Sequence, residues 1–199
     1  TTSELATSYM APQTLIAIEH NMFTPGNYFY NGVGHVTVSY DKVLRIGYEG
    51  IIQEAQAALD QMSLGDAEYS KKSQFLQAVM ISCQAAIQYA YRYSELAARE
   101  AEQCTDSVRR AELIQISQNC AKVPAKGATS FYEACQSFWF VQMLLQIESN
   151  GHSISPGRFD QYMYPYYKKD LDSGRITREF AQELMDCIWV KLNDLNKAR

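Results

Sequence analysis

The sequence predicts a mainly α-helical chain with one short extended segment, and three observations carry that expectation. From Lys42 onward, apolar residues recur three and four apart over long runs. Those runs are separated by the Pro, Gly, Asp, Ser and Thr signals that stop and start helices. The one contrasting texture lies over residues 22–40, MFTPGNYFYNGVGHVTVSY. There, glycine-rich turn chemistry leads into the alternating stretch VTVSY, an expected strand over residues 36–40.

Taken in order, IAIEHNMF places His20 on a short helix, where it reads as structural. Asp41 is positioned to cap a helix over KVLRIGYEGIIQEAQAALDQM, with Val43, Leu44, Ile51, Ile52 and Leu59 on its apolar side. A longer helix is expected over residues 66–104. Phe75, Val79, Ala86, Tyr89 and Leu96 mark its buried stripe, and Arg92, Glu95, Arg99 and Glu102 its wet side. After a stop-and-restart signal at residues 105–107, SVRRAELIQISQNCAKV forms a third helix. VPAKGATS is then a loop, broken by Pro124 and Gly127. FYEACQSFWFVQMLLQIES has almost no charged face, which predicts burial nearly all round. PGRFDQYMYPYYKKDLDSG passes from a loop into a short aromatic helix interrupted near Pro165. Thr177 caps the final helix, with Glu179 in its first turn.

Composition narrows the function classes. The 199 residues are 47% hydrophobic and 20% charged with a net charge of -4, which fits one packed core. No basic stripe marks a nucleic-acid partner, and no polybasic tract marks an anionic membrane. FWFVQMLLQI is too short to span a bilayer. The five cysteines are odd in number and contain no CxxC, so they read as reduced, packed thiols in a cytoplasmic protein. Three dispersed histidines give no zinc spacing. The start lacks a signal-peptide pattern and a methionine, and the last helix stops mid-pattern. Residues 1–199 are therefore expected to be one partial domain of a longer protein.

Two glycine corners are the candidate chemistry. NGHS carries His152 and Ser153 just past the apolar helix, and NGVGH carries His35 before the strand. Each has a plain structural explanation, a left-handed helix ending at Asn150-Gly151 and a turn entering a strand. Each also presents groups that both donate and accept, suited to gripping an alcohol. Spacing admits either two independent corners or two walls of one pocket. The tyrosines of GRFDQYMYPYY read as core or interface rings, with Arg158 and Asp160 orienting their loop. Cys135 lacks a nearby base and is not promoted to nucleophile.

NYFYNGVGHVTVSYDKVLRIGYEGI, RRAEL, FYEACQSFWF, ESNGHSISPGRFDQYMYPYY and AQELMDCIWVKLND together resemble the glycyl radical enzymes, the pyruvate formate-lyase-like family. The pairing of GVGH with NGHS is most similar to its B12-independent glycerol and propane-1,2-diol dehydratases. The resemblance implies an N-terminal-side portion, outer helices and a short strand, of an α/β barrel of two five-stranded half-sheets. It implies dehydration of a small vicinal diol to an aldehyde, with His35 as proton donor or positioning group and His152 and Ser153 hydrogen-bonding the diol.

The family's mechanism uses a glycyl radical, installed by a radical S-adenosylmethionine activating enzyme, and a cysteine with a glutamate two residues later. No cysteine here has that context, and RIGY at Arg45–Tyr48 is one residue short of the glycyl motif and falls in a helical pattern. This segment is therefore expected to bring substrate-binding residues but neither radical site, and to be inactive alone. The resemblance further implies a homodimer in an anaerobic cytoplasm or a bacterial microcompartment within it. Other family chemistries share the helical shell: choline trimethylamine-lyase, hydroxyproline dehydratase, sulfonate lyase and formate acetyltransferase. A non-catalytic helical interaction domain, docking through FWFVQMLLQI, is the remaining alternative.

Overall fold

The computed structural model describes residues 2–22, 36–148 and 153–195. In chain order the described elements are α1 (Thr2–Ser8), α2 (Pro12–Glu19), β1 (Val36–Thr37), α3 (Tyr40–Asp60), α4 (Tyr69–Gln103), α5 (Ser107–Lys122), α6 (Phe131–Glu148), β2 (Ile154–Ser155), α7 (Phe159–Asp172) and α8 (Arg178–Leu195). The mainly helical expectation holds. β1 and β2 pair in parallel, with Val36 opposite Ile154 and Thr37 opposite Ser155.

The strand is shorter than residues 36–40. The Tyr40 amide donates to the Val38 carbonyl at 2.9 Å, which turns the chain directly into α3. Asp41 lies inside that helix rather than capping it, and its carboxylate accepts from the Ser39 hydroxyl at 2.7 Å. The helix itself is not continuous. At Gly47 the backbone swings to φ 66°, ψ 178°. The next two amides lose helical partners and donate instead to Pro124 O (2.8 Å) and Ala125 O (2.9 Å) from Tyr48 and Glu49. A Cβ at Gly47 would stand 2.3 Å from Ala125 O, and one at Gly127 would stand 2.2 Å from Arg45 O. Both positions therefore require glycine, because the VPAKG loop lies against the bare backbone of the broken helix. The RIGY run that looks helical by spacing is the site of the break.

α4 and α5 form an antiparallel hairpin. Asp106 caps α5, accepting from the amides of Val108 (2.8 Å) and Arg109 (2.9 Å). The buried stripe of α4 differs from the expected one. Ala86 is buried as expected and Val79 and Tyr89 are half-buried, but Phe75 is 67% exposed and Leu96 42% exposed. The buried positions include Cys83, Ala90, Ser94, Ala97 and Ala101. Small side chains let the two helix backbones approach, and Ser94 donates across the seam to Ser117 O at 2.8 Å. A large ring in that seam would prop the helices apart.

α6 runs through the middle, in contact with α3, α4, α5, α7, α8 and β2. Phe131, Ala134, Cys135, Phe138, Phe140 and Val141 are buried along it, and only its last turn, at Ile147 and Glu148, is exposed. Its start is held from two sides. Asp170, fully buried at the end of α7, accepts from the Phe131 amide (2.6 Å) and from Arg175 (2.7 Å). Glu133 accepts from Lys122 (2.7 Å), the Thr129 amide (2.7 Å) and the Thr129 hydroxyl (3.0 Å). α7 runs through Pro165 without the expected interruption, because Phe159, Tyr162, Met163, Tyr166 and Tyr167 anchor both of its halves on the core. Thr177 caps α8 as expected, its hydroxyl accepting from the Phe180 amide at 3.1 Å. Among the described residues, no helix is long and apolar enough to cross a membrane.

Candidate functional site

The short parallel pair is where the two glycine corners lead. Of the three residues the sequence singles out, His35 and His152 lie outside the described residues, and Ser153 lies within them. Ser153 is exposed and adopts φ 52°, a left-handed conformation that a residue with a Cβ seldom takes. Such an outlier at the mouth of a strand is a marker of a site held in place by its surroundings. Its carbonyl accepts from the Val36 amide at 3.3 Å. The residue that follows His35 in sequence is thus hydrogen-bonded to the residue that follows His152.

Behind the pair lies a buried polar chain. Tyr40, 1% exposed, donates its hydroxyl to the side-chain carbonyl of Gln142, itself 1% exposed. The Gln142 amide nitrogen donates in turn to the Ile154 carbonyl at 3.2 Å. Carbonyls alternate in direction along a strand. Ser153 O faces β1, so Ile154 O faces away from it, toward Gln142. Gln142 fills the place a third strand would take. Burial and the neighbouring Tyr48 raise the Tyr40 phenol well above its ordinary range, so it stays a neutral donor at physiological pH.

Rings complete the support. Tyr40 stacks on Tyr162 with centroids 5.7 Å apart and leans on Phe138 at 5.0 Å. Tyr162 donates to Pro156 O at 2.8 Å, which pins the chain leaving β2. At Gly157, φ 66°, a Cβ would stand 2.7 Å from the Thr37 methyl, so β1 packs directly on the exit of β2. The tyrosine-rich segment accordingly behaves as core at Tyr162, Tyr166 and Tyr167, whereas Tyr164 is exposed.

Other residues weighed in the sequence lie outside this arrangement. Arg158 and Asp160 do not orient the loop: they form a loose pair at 3.9 Å with both side chains largely in solvent. His20 closes α2 at an exposed position. Cys135 is buried in the α6 core, and burial pushes its thiol up to about 12, as it does for Cys120. Neither is a thiolate at neutral pH. A groove of about 460 Å³ beside α6 is lined by Tyr93, Leu96, Trp139, Met143, Cys187 and Ile188, among others, with Glu100, Arg109, Gln136 and Lys191 also on its wall.

Neither Tyr40 nor Gln142 stands out by spacing. The signal available for Gln142 was its position, a long polar side chain inside the apolar run FWFVQMLLQI. A buried amide there must find partners or cost stability.

Comparison with known proteins identifies the family and the fold. The profile of the family described as pyruvate formate lyase-like matches residues 1–199. A solved structure from Roseburia inulinivorans, described for 1,2-propanediol dehydration and its substrate and enantiomer selectivity, superimposes on the whole chain with a TM-score of 0.86 and 64% identity, over 24% of its own length. The glycerol-bound B12-independent glycerol dehydratase from Clostridium butyricum superimposes on the whole chain with a TM-score of 0.84 and 57% identity, over 25% of its length. The (2S)-3-sulfopropanediol dehydratase of Klebsiella oxytoca is 39% identical over 182 residues, covering 92% of this chain and 22% of that protein. The chain therefore spans about a quarter of the length of the relatives it matches.

Proposed function

This chain belongs to the pyruvate formate lyase-like family, and on that premise we propose that the whole protein is a glycyl radical lyase that dehydrates a small vicinal diol, glycerol or propane-1,2-diol, to an aldehyde. The observation that carries the reading is the Val36–Ser153 hydrogen bond. It joins the two segments whose GVGH and NGHS motifs suggest diol binding, although they are remote in sequence.

The roles of this chain's residues follow from the chemistry of the leaving group. Hydroxide leaves poorly from carbon, and a proton delivered to it by an imidazole lets water depart instead. His35 takes that part, giving its proton to the departing hydroxyl. His152 and Ser153 hydrogen-bond the diol and fix the carbon to be attacked. The left-handed backbone at Ser153 sets the direction from which its side chain meets the substrate. A glycyl radical, installed by a radical S-adenosylmethionine activating enzyme, would supply the oxidising equivalent with which a cysteine in another part of the protein takes hydrogen from the diol and later returns it. Cys83, Cys104, Cys120, Cys135 and Cys187 each lack a glutamate two residues later, and RIGY at Arg45–Tyr48 is one residue short of the glycyl motif, so this segment brings neither radical position. The working protein is a homodimer in the cytoplasm or in a bacterial microcompartment.

The test uses the full-length protein activated anaerobically. His35→Gln and His152→Gln are each expected to lower kcat/KM for the diol by about 100-fold or more, with the glycyl radical still visible by electron paramagnetic resonance. Unchanged turnover in both variants rejects the assignment. Turnover of choline, hydroxyproline or a sulfonate in place of glycerol and propane-1,2-diol keeps the family chemistry and replaces the substrate.

A further inference from the structure

We propose that Tyr40 and Gln142 are positioning residues, which hold the β1–β2 register from behind and thereby set where Ser153 meets the substrate. The inference rests on the diol reading for its consequence in catalysis, but the positioning itself stands on the geometry of described residues.

Among the described residues each strand is two residues long, so local pairing specifies the register only weakly. A pair this short is held by few hydrogen bonds, and a slip by one residue would turn every side chain to the opposite face. At Ser153 such a slip would exchange a serine for a neighbouring residue at the strand mouth. Something outside the pair must therefore select the register. Gln142 is placed to do so, because its amide nitrogen donates to the Ile154 carbonyl at 3.2 Å. Its orientation is fixed in turn, since its carbonyl oxygen accepts from Tyr40. With the amide reversed, the Gln142 side-chain oxygen and the Ile154 carbonyl oxygen would face each other with no proton between them. Tyr40 cannot readily move either. It opens α3 two residues after Val38, is stacked on Tyr162 and is packed on Phe138.

One chain of donors thus ties the helix after β1 to the strand carrying Ser153, through the central helix α6. A purely apolar floor would pack as well without this linkage. Burying a tyrosine hydroxyl and a glutamine amide in the core contributes specificity of alignment more than net stability.

The experiment compares Gln142→Leu, Tyr40→Phe and the double variant in the activated full-length protein. Gln142→Leu is expected to lower kcat/KM for the diol by about 10- to 100-fold, because a misplacement of about 1 Å at a reacting group has that effect. Tyr40→Phe lowers it less, since the Gln142 bond to Ile154 survives. The double variant is no worse than Gln142→Leu alone, as expected of two residues acting as one unit. The ratio of kcat/KM for glycerol to that for propane-1,2-diol shifts in Gln142→Leu, while the glycyl radical signal stays at the parent level. A merely structural role lowers the melting temperature and leaves that ratio unmoved, which overturns the proposal.

Hydrogen exchange at the Val36 amide supplies a readout independent of the reaction. Protection in the parent and its loss in Gln142→Leu support register control whatever the substrate proves to be. Unchanged protection overturns it. A parent protein that dehydrates no diol yet shows this loss of protection refutes the proposed function and leaves the positioning role standing. If Gln142→Leu does not fold, Tyr40→Phe carries both readouts, with partial loss of Val36 protection and a shifted substrate ratio expected and no change in either refuting it.

Discussion

Around α6 the chain packs large rings against one another, whereas between α4 and α5 it packs alanine and serine. In the first region Phe138 meets Phe159 with centroids 4.9 Å apart and Tyr40 at 5.0 Å, so each ring is held on several sides. In the second, Ala90, Ser94, Ala97 and Ala101 form a narrow seam, and large residues such as Phe75, Ile81 and Leu96 face outward. The difference is one of task. Interlocked rings fix the position of what lies on them, here the strand pair and its buried Tyr40–Gln142 chain. A small-residue seam brings two helices close but leaves their broad faces available for covering.

Four substitutions sharpen or break that contrast. Phe138→Ala in the ring-packed region is expected to cost about 3–5 kcal/mol in denaturant unfolding; a loss below about 1 kcal/mol would mean that the rings are not interlocked. Ala90→Leu, which forces a larger side chain into the seam, is expected to cost about 1–3 kcal/mol. No loss there would show that the helices can separate without penalty.

Glu133→Gln comes next, at on the order of 1 kcal/mol near neutral pH. Burial raises the Glu133 carboxyl, but hydrogen bonds from Lys122 and Thr129 outweigh it and hold the group below its ordinary range. A carboxylate depressed in the folded state stabilises above its unfolded pKa, and that contribution disappears as the pH falls through the folded value. Melting temperatures followed from neutral pH into the acid range should therefore fall less steeply in Glu133→Gln than in the parent, and parallel curves would remove Glu133 from the account. The smallest effect belongs to Phe75→Ser, within about 0.5 kcal/mol in this chain, since the ring is largely exposed. A clear loss on the same change in the full-length protein would locate a segment that covers this face.

Much of the helical frame was legible, and for a specific reason. Thr177 caps α8 because a side-chain oxygen a few residues before an amide reaches it without help from elsewhere. FWFVQ had to be buried because no face of that helix is charged. The buried stripe of α4 was misjudged because periodicity identifies apolar positions but not which of two faces a neighbour will cover. At the site, GVGH and NGHS stood out by residue type, while Tyr40 and Gln142 did not, since each finds its partner far along the chain.

By itself, the sequence determined that the chain is mainly helical and which helix must be buried on nearly every side, and it singled out two short histidine-bearing motifs. Those signals act within a turn or two of backbone, or through motifs that read the same wherever they fall. The tertiary structure alone decided the break at Gly47, the pairing of Val36 with Ile154, and the union of Tyr40, Gln142 and Ile154. Each of these depends on a backbone group meeting a partner brought from a distant segment, and no local propensity encodes where such a partner will arrive.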